Sequence, residues 1–354
     1  MEARPRSLIV FNYAMDSRNP IFSHQIEVVR RLAPSFEKVL VITNSFSKNE
    51  RLPGNVTIKE LFWRPGQNFL NALKFLICFF GNIRDFPSPI IFSHMTEVQS
   101  SLVAIWTYFR GIRHFLWYAH VSKSKYLLFC HIFVTGIITS TKGSCPISSQ
   151  KIYTIGQAID INKFPKLTTV DRLDVSSIRA VTVGRVDPSK RVDQLLAFVC
   201  KSEYSQNFRH FKIIGKASVG NEAYEEKLKW IYREEISSRK IEFSGALPRE
   251  DISPLLDHND LFIHAFQGSL DKTLVEAIIS GLPVITINKE CHIQFGTWSN
   301  NLTKPVTLHD EFENFIKTPL DEISRLCDER RKIAIDNHSL DQWILKLCAL
   351  LGEI

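Results

Sequence analysis

The sequence predicts an α/β protein of two domains, each a parallel sheet with helices on both faces. Short apolar segments typical of strands alternate with longer segments whose apolar residues recur at helical spacing. This alternation stops at the polar segment LTTVDRLDVSS (167–177) and then resumes, in a chain of 354 residues that is long enough for two cores. We therefore expect domains over residues 1–165 and 172–354, with the last helix a candidate for packing back against the first domain.

The first domain is expected to begin with a strand and to alternate regularly from there. Its predicted strands are RSLIVFNYA, KVLVITNS, VTIKELFW, PIIFSH, HFLWYAH, GIITST and KIYTIG. Its predicted helices are HQIEVVRRLA, NALKFLICFF and EVQSSLVAIWTYF. This order is typical of βαβ units, in which consecutive strands run parallel and helices cover the sheet.

The second domain repeats the alternation. Its predicted strands are IRAVTVG, HFKIIG, KIEFSG, DLFIHAF and LPVITIN. Its predicted helices are VDQLLAFVC, EAYEEKLKWIYREE, DISPLLD and KTLVEAIIS, followed by helical sequence from about Asp321 to Leu351. Ligands of open α/β sheets bind beyond the carboxyl ends of the strands, so we expect the functional site in a cleft between the two domains.

The charge of the chain is concentrated in its first half. Residues 1–165 hold 19 Lys and Arg against 9 Asp and Glu, and the remainder holds 25 against 28, which gives the net charge of +7. A basic half that also carries many aromatic residues predicts an anionic partner, either acidic lipid or nucleic acid. No nucleic-acid recognition motif accompanies the charge, so we expect no nucleic-acid partner.

Cysteine usage and hydropathy predict a cytoplasmic protein. The seven cysteines are scattered and form no CxxC pair, and the N-terminus MEARPRSLIV lacks the pattern of a secretory signal. The apolar stretches 69–80 and 126–138 are shorter than the roughly 20 residues of a membrane span. Both are expected to be buried helices, or the first helps the protein to dock on a membrane surface.

The segment VGRVDPSKRVD (183–193) places two cations at a helix start. Asp187 is a favoured N-cap type and Pro188 suits the first helical position, which predicts a helix from that point. Lys190 would then lie in the first turn, close behind Arg185, where the helix dipole disfavours a cation.

The segment SLDKTLVEAIISGLPV (269–284) repeats this arrangement. Asp271 can cap a helix with Lys272 in its first turn and Glu276 one turn further on. Two lysine-bearing helix starts after parallel strands predict an anion site, because free main-chain N–H groups and cations both favour phosphate. The alternative is that the lysines are solvated and that Arg185 pairs with Asp187 or Asp193.

Two predicted strands of the first domain end in histidine, His94 and His120. At a strand end an imidazole can transfer a proton or hydrogen-bond to a substrate hydroxyl. The alternative for each is a buried structural histidine. GxGxxG, GxxxxGK[ST], GxSxG and metal-ligand spacings do not occur in the sequence, so we expect no dinucleotide cofactor and no metal.

These segments together resemble one enzyme family. VGRVDPSKRVD is similar to the VGRLxxxKG(V/I)D segment of retaining, GT-B-fold glycosyltransferases of family four (glycosyl transferases group 1), and SLDKTLVEAIISGLPVIT is similar to their EGFGxxxLEAMAxGxPVV segment. KIYTIGQAIDINKF resembles the segment that usually reads VIPNGVDxxxF. The resemblance covers most of the second domain, and it implies two Rossmann-like domains whose parallel sheets face an interdomain cleft.

The resemblance implies roles for individual residues. Arg185 and Lys190, preceded by Gly184, match the catalytic pair that grips the donor diphosphate, and His120 matches the histidine beside the reacting sugar. Glu276 matches the second glutamate of an E-x7-E pattern, which meets the ribose hydroxyls. The other donor-binding positions implied are Gly245 and Leu247, in the turn that lines the nucleobase, and Ser269, Leu270, Asp271 and Lys272, which present main-chain amides to the donor.

Two departures from the family pattern stand out. Gly268 occupies the position of the first glutamate of E-x7-E, so that the role of this carboxylate is missing or is supplied elsewhere. The Gly-Gly loop of the family's first domain appears here as SRNPIFSH, with Asn19 and Pro20 in place of the glycines. Neither departure affects the pair Arg185 and Lys190.

The resemblance implies a metal-independent enzyme that moves a sugar from a UDP- or GDP-type donor to a glycan or a lipid-linked acceptor. SLDK in place of GFGL is similar to enzymes of bacterial surface-polysaccharide assembly, which work on the inner face of the membrane. The alternatives are a nucleotide-sugar epimerase of the same fold, a basic nucleic-acid-binding protein or a two-domain ligand receptor.

Overall fold

The computed structural model describes residues 7–19, 22–168, 170–298 and 305–352. The chain forms two compact units. The first ends at Ala158 and takes up the chain again from Leu340, and the second is Ile159–Ser339. Residues 159–165, expected in the first domain, therefore belong to the second unit, and the C-terminal segment from Leu340 belongs to the first.

Local contacts explain where the chain passes between units. The Ile159 amide donates to the His338 carbonyl at 2.8 Å, and Phe164 is buried in the core of the second unit. The described residues of the polar segment 167–177 belong to the second unit, where the Leu167 amide donates to the Ser280 carbonyl at 2.8 Å and Val170 is buried in the core. Most of its other described residues are exposed or half-buried, and the junction between the units precedes the segment, at Ala158.

The sheet of the first unit is parallel throughout its described strands, in the order β3-β2-β1-β4-β5-β6-β7. The strands are β1 (Ser7–Met15), β2 (Lys38–Phe46), β3 (Val56–Glu60), β4 (Pro89–His94), β5 (His114–Trp117), β6 (Gly136–Thr139) and β7 (Ile152–Thr154). The first helices are α1 (His24–Leu32), α2 (Asn68–Asn82), α3 (Glu97–Phe109) and α4 (Lys125–Phe133).

The second unit contains a shorter parallel sheet, in the order β10-β9-β8-β11-β12. The strands are β8 (Ile178–Val183), β9 (Phe208–Ile214), β10 (Ile241–Gly245), β11 (Leu261–His264) and β12 (Val284–Thr286). The helices are α5 (Val192–Lys201), α6 (Glu222–Ile231), α7 (Arg233–Ser237), α8 (Ile252–Asp257), α9 (Lys272–Ile279), α10 (Lys289–Phe295), α11 (Leu308–Lys317) and α12 (Leu320–His338). The predicted fold class, α/β units on parallel sheets, is confirmed.

The helix α13 (Leu340–Leu351) completes the first unit. Its Trp343 and Leu347 are fully buried with Leu8 and Val10 of β1, on the sheet face that α1 also covers. Ile9 of the same strand faces the opposite side, where α2 and α3 pack. This alternation is the two-residue period of a strand, and it explains why β1 is apolar along its length.

Several boundaries differ from the sequence prediction. The expected helix EAYEEKLKWIYREE is broken at Tyr232, whose buried ring lies between α6 and α7. The stretch 126–138, expected as one helix, divides between α4 and β6. The helices α10 and α11 were not predicted, although both begin at a side-chain cap: Asn288 accepts from the Cys291 amide, and Thr307 and Asp310 form a capping box.

The histidines of the first sheet occupy different environments. His94 is buried, with its ring 5.1 Å from the His24 ring and stacked on Trp343, which matches the structural alternative for this residue. His114 is completely buried, and its ring nitrogens meet the hydroxyl groups of Ser93, Ser100 and Thr107 at 3.0–3.3 Å.

No helix in the described ranges is long and apolar enough to cross a membrane.

Burial lowers the pKa of His114 from 6.5 to about 3. Below pH 6.5 the unfolded chain binds a proton at this residue that the folded unit does not accept until about pH 3, so stability falls as the pH drops through this window. Between pH 7 and pH 5 we expect His114 to account for a loss of about 2 kcal/mol in the free energy of unfolding.

The measurement is urea denaturation at several pH values, followed by tryptophan fluorescence. His114→Asn should show the smaller loss between pH 7 and pH 5, whereas His258→Asn, at an exposed position, should behave as wild type. Equal pH dependence in wild type and His114→Asn would contradict the assignment.

Candidate functional site

The carboxyl ends of three neighbouring strands in the second unit meet through glycines. Gly184 follows β8, Gly215 follows β9 and Gly245 ends β10. The Gly184 amide donates to the Ile214 carbonyl at 2.9 Å, and the Gly215 amide donates to the Gly245 carbonyl at 2.8 Å. A Cβ atom at Gly215 would lie 1.8 Å from the Gly184 carbonyl oxygen. This backbone contact requires a glycine at position 215. The sequence analysis did not single out Gly215, although it is the last residue of the predicted strand HFKIIG.

The segment after Gly184 departs from the predicted helix start. Asp187 acts as a cap, as expected, because its side chain accepts from the Ser189 amide at 3.1 Å. The turn that it caps is a single 3-10 turn, Pro188–Lys190, and the chain then passes through Arg191 at φ 53° before α5 begins at Val192. Lys190 is therefore outside the first turn of α5, and the dipole argument against its charge does not apply to that helix.

Lys190 connects this turn to the start of α9. Its ammonium group forms an ion pair with Asp271, and it lies 4.1 Å from the centre of the Phe266 ring. The Asp271 carboxylate also meets His264 Nε2 at 3.2 Å. Burial opposes ionisation of Asp271, but Lys190 and His264 together hold its pKa below its ordinary value. Burial lowers the pKa of His264. The alternative that Lys190 is solvated is therefore wrong.

The loop before α9 explains the glycine at position 268. A Cβ atom there would lie 2.1 Å from Cζ of Phe266, so the aromatic ring occupies the space in which a glutamate side chain would begin. Asn288 fixes the loop, since its amide nitrogen donates to the carbonyl groups of Phe266 at 2.9 Å and Ser269 at 3.1 Å. Leu270, next in the chain, is buried in the core.

Lys272 is the first residue of α9, as predicted, and it follows the cap formed by Asp271. Its ammonium group makes no ion pair or hydrogen bond with any residue that the structure describes. Burial lowers the pKa of Lys272 well below its ordinary value, Arg249 and Lys163 lower it further, and Asp160 acts in the opposite direction. A cation without a counter-charge at a helix N-terminus is suited to binding an anion.

Glu276 lies one turn further along α9 and is 2% exposed. Its Oε1 atom pairs with the guanidinium group of Arg249, and its Oε2 atom is buried without a hydrogen-bond partner in the described part of the chain. A buried carboxylate oxygen without a partner is costly, so this atom is a candidate acceptor for a ligand hydroxyl. Burial lowers the pKa of Arg249 to about 10.

Arg249 was missed by sequence reasoning, although it lies just beyond the predicted turn Gly245–Leu247. Gly245 adopts φ 70°, and Leu247 packs partly buried against the core. The turn therefore leads directly to the arginine that holds Glu276. The nearest signal in the sequence is the position of Arg249 in GALPRED, four residues after the glycine.

Arg185 and Lys190 contact different carboxylates, Asp187 and Asp271. Its side chain is 55% exposed, and its Nη1 atom lies 3.5 Å from Asp187 Oδ2, which is the pairing that the structural alternative anticipated. Gly184 lies beside Lys190, since a Cβ atom built on this glycine would be 3.8 Å from the lysine Cε. The structure thus brings Gly184, Lys190 and Asp271 together and leaves the guanidinium group of Arg185 accessible.

His120 belongs to the first unit. It is exposed and lies in the loop beyond β5, which ends at Trp117, so the expectation of a strand-end histidine is wrong. Its Nδ1 atom accepts from the Ser122 amide at 3.0 Å.

Asn19 of the expected diphosphate loop accepts from the Phe22 amide through its side chain at 2.8 Å, and Pro20 lies outside the described residues. In the part of the chain that the structure describes, no group of three His, Cys, Asp or Glu side chains is suited to a metal ion.

The sequence of the second unit matches a known family. Residues 169–294 match the model of the family described as glycosyl transferases group 1. Gly184 through Glu276 all fall within this range. We call residues 169–294, the part of the chain that matches this model, the group 1 domain. No curated protein sequence is similar enough to the chain to count as a relative.

The solved structures that resemble the chain share its fold over nearly the whole length. HepE from Anabaena in complex with UDP is 15% identical, with a TM-score of 0.73 over 99% of this chain and 100% of that one. Sucrose-phosphate synthase from Thermosynechococcus elongatus is 12% identical, with a TM-score of 0.75 over 98% of both chains. The lipopolysaccharide outer core galactosyltransferase WaaB in its apo form is 14% identical, with a TM-score of 0.66 over 98% of this chain and 100% of that one. The fold is that of GT-B glycosyltransferases.

The glycine contact in the group 1 domain gives a testable prediction. Gly215→Ala should destabilise the second unit by about 2–4 kcal/mol, because the new Cβ atom overlaps the Gly184 carbonyl and the backbone must move. Gly220→Ala is the matched control, since Gly220 also has a positive φ but nothing lies within 4 Å of its Cβ position. It should lose only about 1 kcal/mol.

Urea denaturation of both variants measures the difference. Similar losses in Gly215→Ala and Gly220→Ala would show that the cost comes from the backbone angle alone and that the contact with Gly184 is unimportant.

Proposed function

We propose that the protein transfers a hexosyl group from a nucleotide-diphosphate sugar to a hydroxyl group of a glycan or lipid-linked acceptor, with retention of anomeric configuration. The observation that carries the proposal is the start of α9 in the group 1 domain. There, the unpaired ammonium group of Lys272 and the unpartnered Oε2 atom of Glu276 lie one helical turn apart. An anion and a hydroxyl group on one ligand would satisfy both, and a nucleoside diphosphate has this combination.

The diphosphate is assigned to the cations of this domain. Lys272 supplies a charge that forms no ion pair with a carboxylate in the described part of the chain, and the exposed guanidinium group of Arg185 can add charge-assisted hydrogen bonds. Lys190 contributes differently in the proposal, because Asp271 already neutralises it. By holding Asp271, it keeps Ser269, Leu270 and the first turn of α9 in the position that the diphosphate requires.

The ribose is assigned to Glu276. Arg249 holds one oxygen of this carboxylate, which fixes its orientation, and the other oxygen is left to accept from a ribose hydroxyl. Gly245 and Leu247, which precede Arg249 in the chain, are the proposed boundary of the nucleobase site. The base is proposed to be that of UDP or GDP.

In the reaction, the bond between the anomeric carbon and the phosphate oxygen breaks, and a bond from the anomeric carbon to the acceptor oxygen forms. Negative charge develops on the departing diphosphate, and Arg185 and Lys272 stabilise it. The acceptor proton passes to the departing phosphate oxygen, so that the step requires no metal ion and no strong protein base. His120 is proposed to position the donor sugar.

The similar structures support the choice of donor and the biological role. HepE has been crystallised with UDP and with UDP-glucose, and WaaB is a lipopolysaccharide galactosyltransferase. We therefore propose a role in cell-surface polysaccharide synthesis. The enzyme would work in the cytoplasm, against the anionic inner face of the membrane, where lipid-linked acceptors lie.

Substitution of Arg185 tests the proposed grip on the diphosphate. Arg185→Ala should weaken the binding of UDP or GDP roughly tenfold and should leave the binding of uridine or guanosine unchanged, because only the phosphates lose a partner. Turnover of a labelled nucleotide sugar on a panel of glycan and lipid-linked acceptors should fall about 100-fold or more. Calorimetry and product analysis measure the two effects.

Arg209→Ala removes another exposed arginine of the same unit and should match wild type in both assays. Normal turnover of Arg185→Ala would refute the role of this residue. Isomerised donor in the absence of any acceptor would show that the protein is an epimerase.

Lys272 gives a prediction in which two effects have opposite signs. Lys272→Met should raise the melting temperature of the free protein, since it removes a half-buried cation that forms no ion pair in the described residues. The same substitution should reduce the rise in melting temperature that UDP or GDP produces, because an anion partner is lost. Both effects are read from thermal denaturation with and without nucleotide.

Lys289→Met is the matched control, since Lys289 is the first residue of α10 and is exposed. It should change neither quantity. A destabilised Lys272→Met variant with undiminished nucleotide binding would mean that Lys272 has a structural role.

A further inference from the structure

The exposed side of helix α2 is largely apolar, which is unusual for a helix that faces water. Only Phe75 and Phe79 are buried among its described residues, whereas Phe69 is 79% exposed and Ile77 is 66% exposed. The expectation that the stretch 69–80 is a buried helix is therefore wrong. Helices at the surface of soluble domains normally turn polar residues outward. Here, the outward arc carries Phe69, Leu70, Leu73, Ile77 and Phe80, with Lys74 as its charged member.

The apolar surface continues onto the neighbouring helices. The Phe80 ring of α2 lies 5.3 Å from the Trp106 ring of α3, and the Tyr108 ring of α3 lies 5.8 Å from the Phe133 ring of α4. These contacts, made through the half-buried Trp106 and Phe133, connect three adjacent helices, and we call their exposed side the α2–α4 face. Beyond those of α2, its exposed apolar residues are Ile105, Tyr108 and Phe109 of α3, and Tyr126, Leu128 and Ile132 of α4.

The segment of the chain that carries the α2–α4 face is positively charged. Residues 62–134 hold seven Lys and Arg against two Asp and Glu. Arg110 lies over the Trp106 ring at 5.8 Å, and Lys125 lies over the Tyr126 ring at 5.2 Å. Cations whose stems lie along aromatic rings are arranged as at a membrane interface, with the apolar part beside the acyl chains and the charge among the headgroups.

We propose that the α2–α4 face is the surface by which the first unit binds an anionic lipid bilayer, with α2 lying in the plane of the interface. The charge complements acidic headgroups, and the aromatic and aliphatic side chains enter the boundary of the acyl chains. A second copy of the chain fits less well, because two such faces would bring like charges together. The inference deepens the proposed function, since it identifies the residues that hold the enzyme beside a lipid-linked acceptor.

Flotation with vesicles tests the inference. We expect the protein to float with vesicles of phosphatidylcholine containing phosphatidylglycerol, to float poorly with phosphatidylcholine alone, and to be released as salt increases. Phe69→Ser/Ile77→Ser should weaken binding to the anionic vesicles at least roughly tenfold, because two apolar side chains no longer enter the bilayer. Lys74→Glu/Arg110→Glu should weaken it as well, and should reduce its dependence on salt.

A matched control separates this face from general surface hydrophobicity. Trp230→Ser/Ile293→Ser removes side chains that are 69% and 61% exposed in the second unit, and it should bind vesicles as wild type does. Equal binding by wild type and Phe69→Ser/Ile77→Ser would overturn the proposal. So would a dimer of the lipid-free protein, seen by sedimentation, that Phe69→Ser/Ile77→Ser abolishes.

The outcome is independent of the proposed catalysis. Arg185→Ala should bind vesicles normally, and Phe69→Ser/Ile77→Ser should keep the thermal shift produced by UDP or GDP. Loss of vesicle binding with an intact nucleotide shift supports the surface. If no nucleotide shifts the wild-type protein, the proposed function fails while the vesicle result still stands.

Discussion

The ion pair between Lys190 and Asp271 is the interaction on which the candidate site depends most. It joins the turn after β8 to the cap of α9, two segments that are 81 residues apart in the chain. Phe266 lies against the lysine, and His264 meets the same carboxylate oxygen of Asp271 at 3.2 Å. Without this pair, the cap of α9 would lose the cation that keeps Asp271 ionised in a buried position, and the helix start would lose its fixed orientation.

The neutralisation of Lys190 changes which cation is available to a ligand. Lys190 and Lys272 looked equivalent at two predicted helix starts, but among the described residues only Lys190 has a carboxylate partner, Asp271. In the proposed function, Lys272 and the exposed Arg185 carry the charge that meets the diphosphate, whereas Arg249 is paired with Glu276. The group 1 domain thus separates cations that hold the protein together from cations that can meet a substrate. The ring of Phe266 fills the space left by the missing glutamate, so that Gly268 is a consequence of local packing.

The first unit buries its histidines His94 and His114 but leaves many apolar residues of α2 exposed. His94 and His114 are buried between the sheet and its helices, whereas the apolar residues of α2 face outward on the side away from the sheet. A helix that is apolar on both sides can be stable in water only if its outer side is small or has a partner. The basic residues around this surface indicate what kind of partner that is.

Local sequence determined much of the architecture. The alternation of strands and helices predicted both parallel sheets, because burial on both faces leaves continuous apolar runs that are visible without a structure. The caps at Asp187 and Asp271 were also readable, since an N-cap acts within three residues. The helix start at Pro188 was misplaced because one 3-10 turn and the left-handed Arg191 look the same in sequence as the first turn of an α-helix. What tertiary structure alone decided are the long-range choices: the partner of Lys190, the pairing of Arg249 with Glu276, the contact of Gly215 with Gly184, and the exposure of α2. Each depends on residues that are distant in the chain and adjacent only after folding, so no local pattern records them.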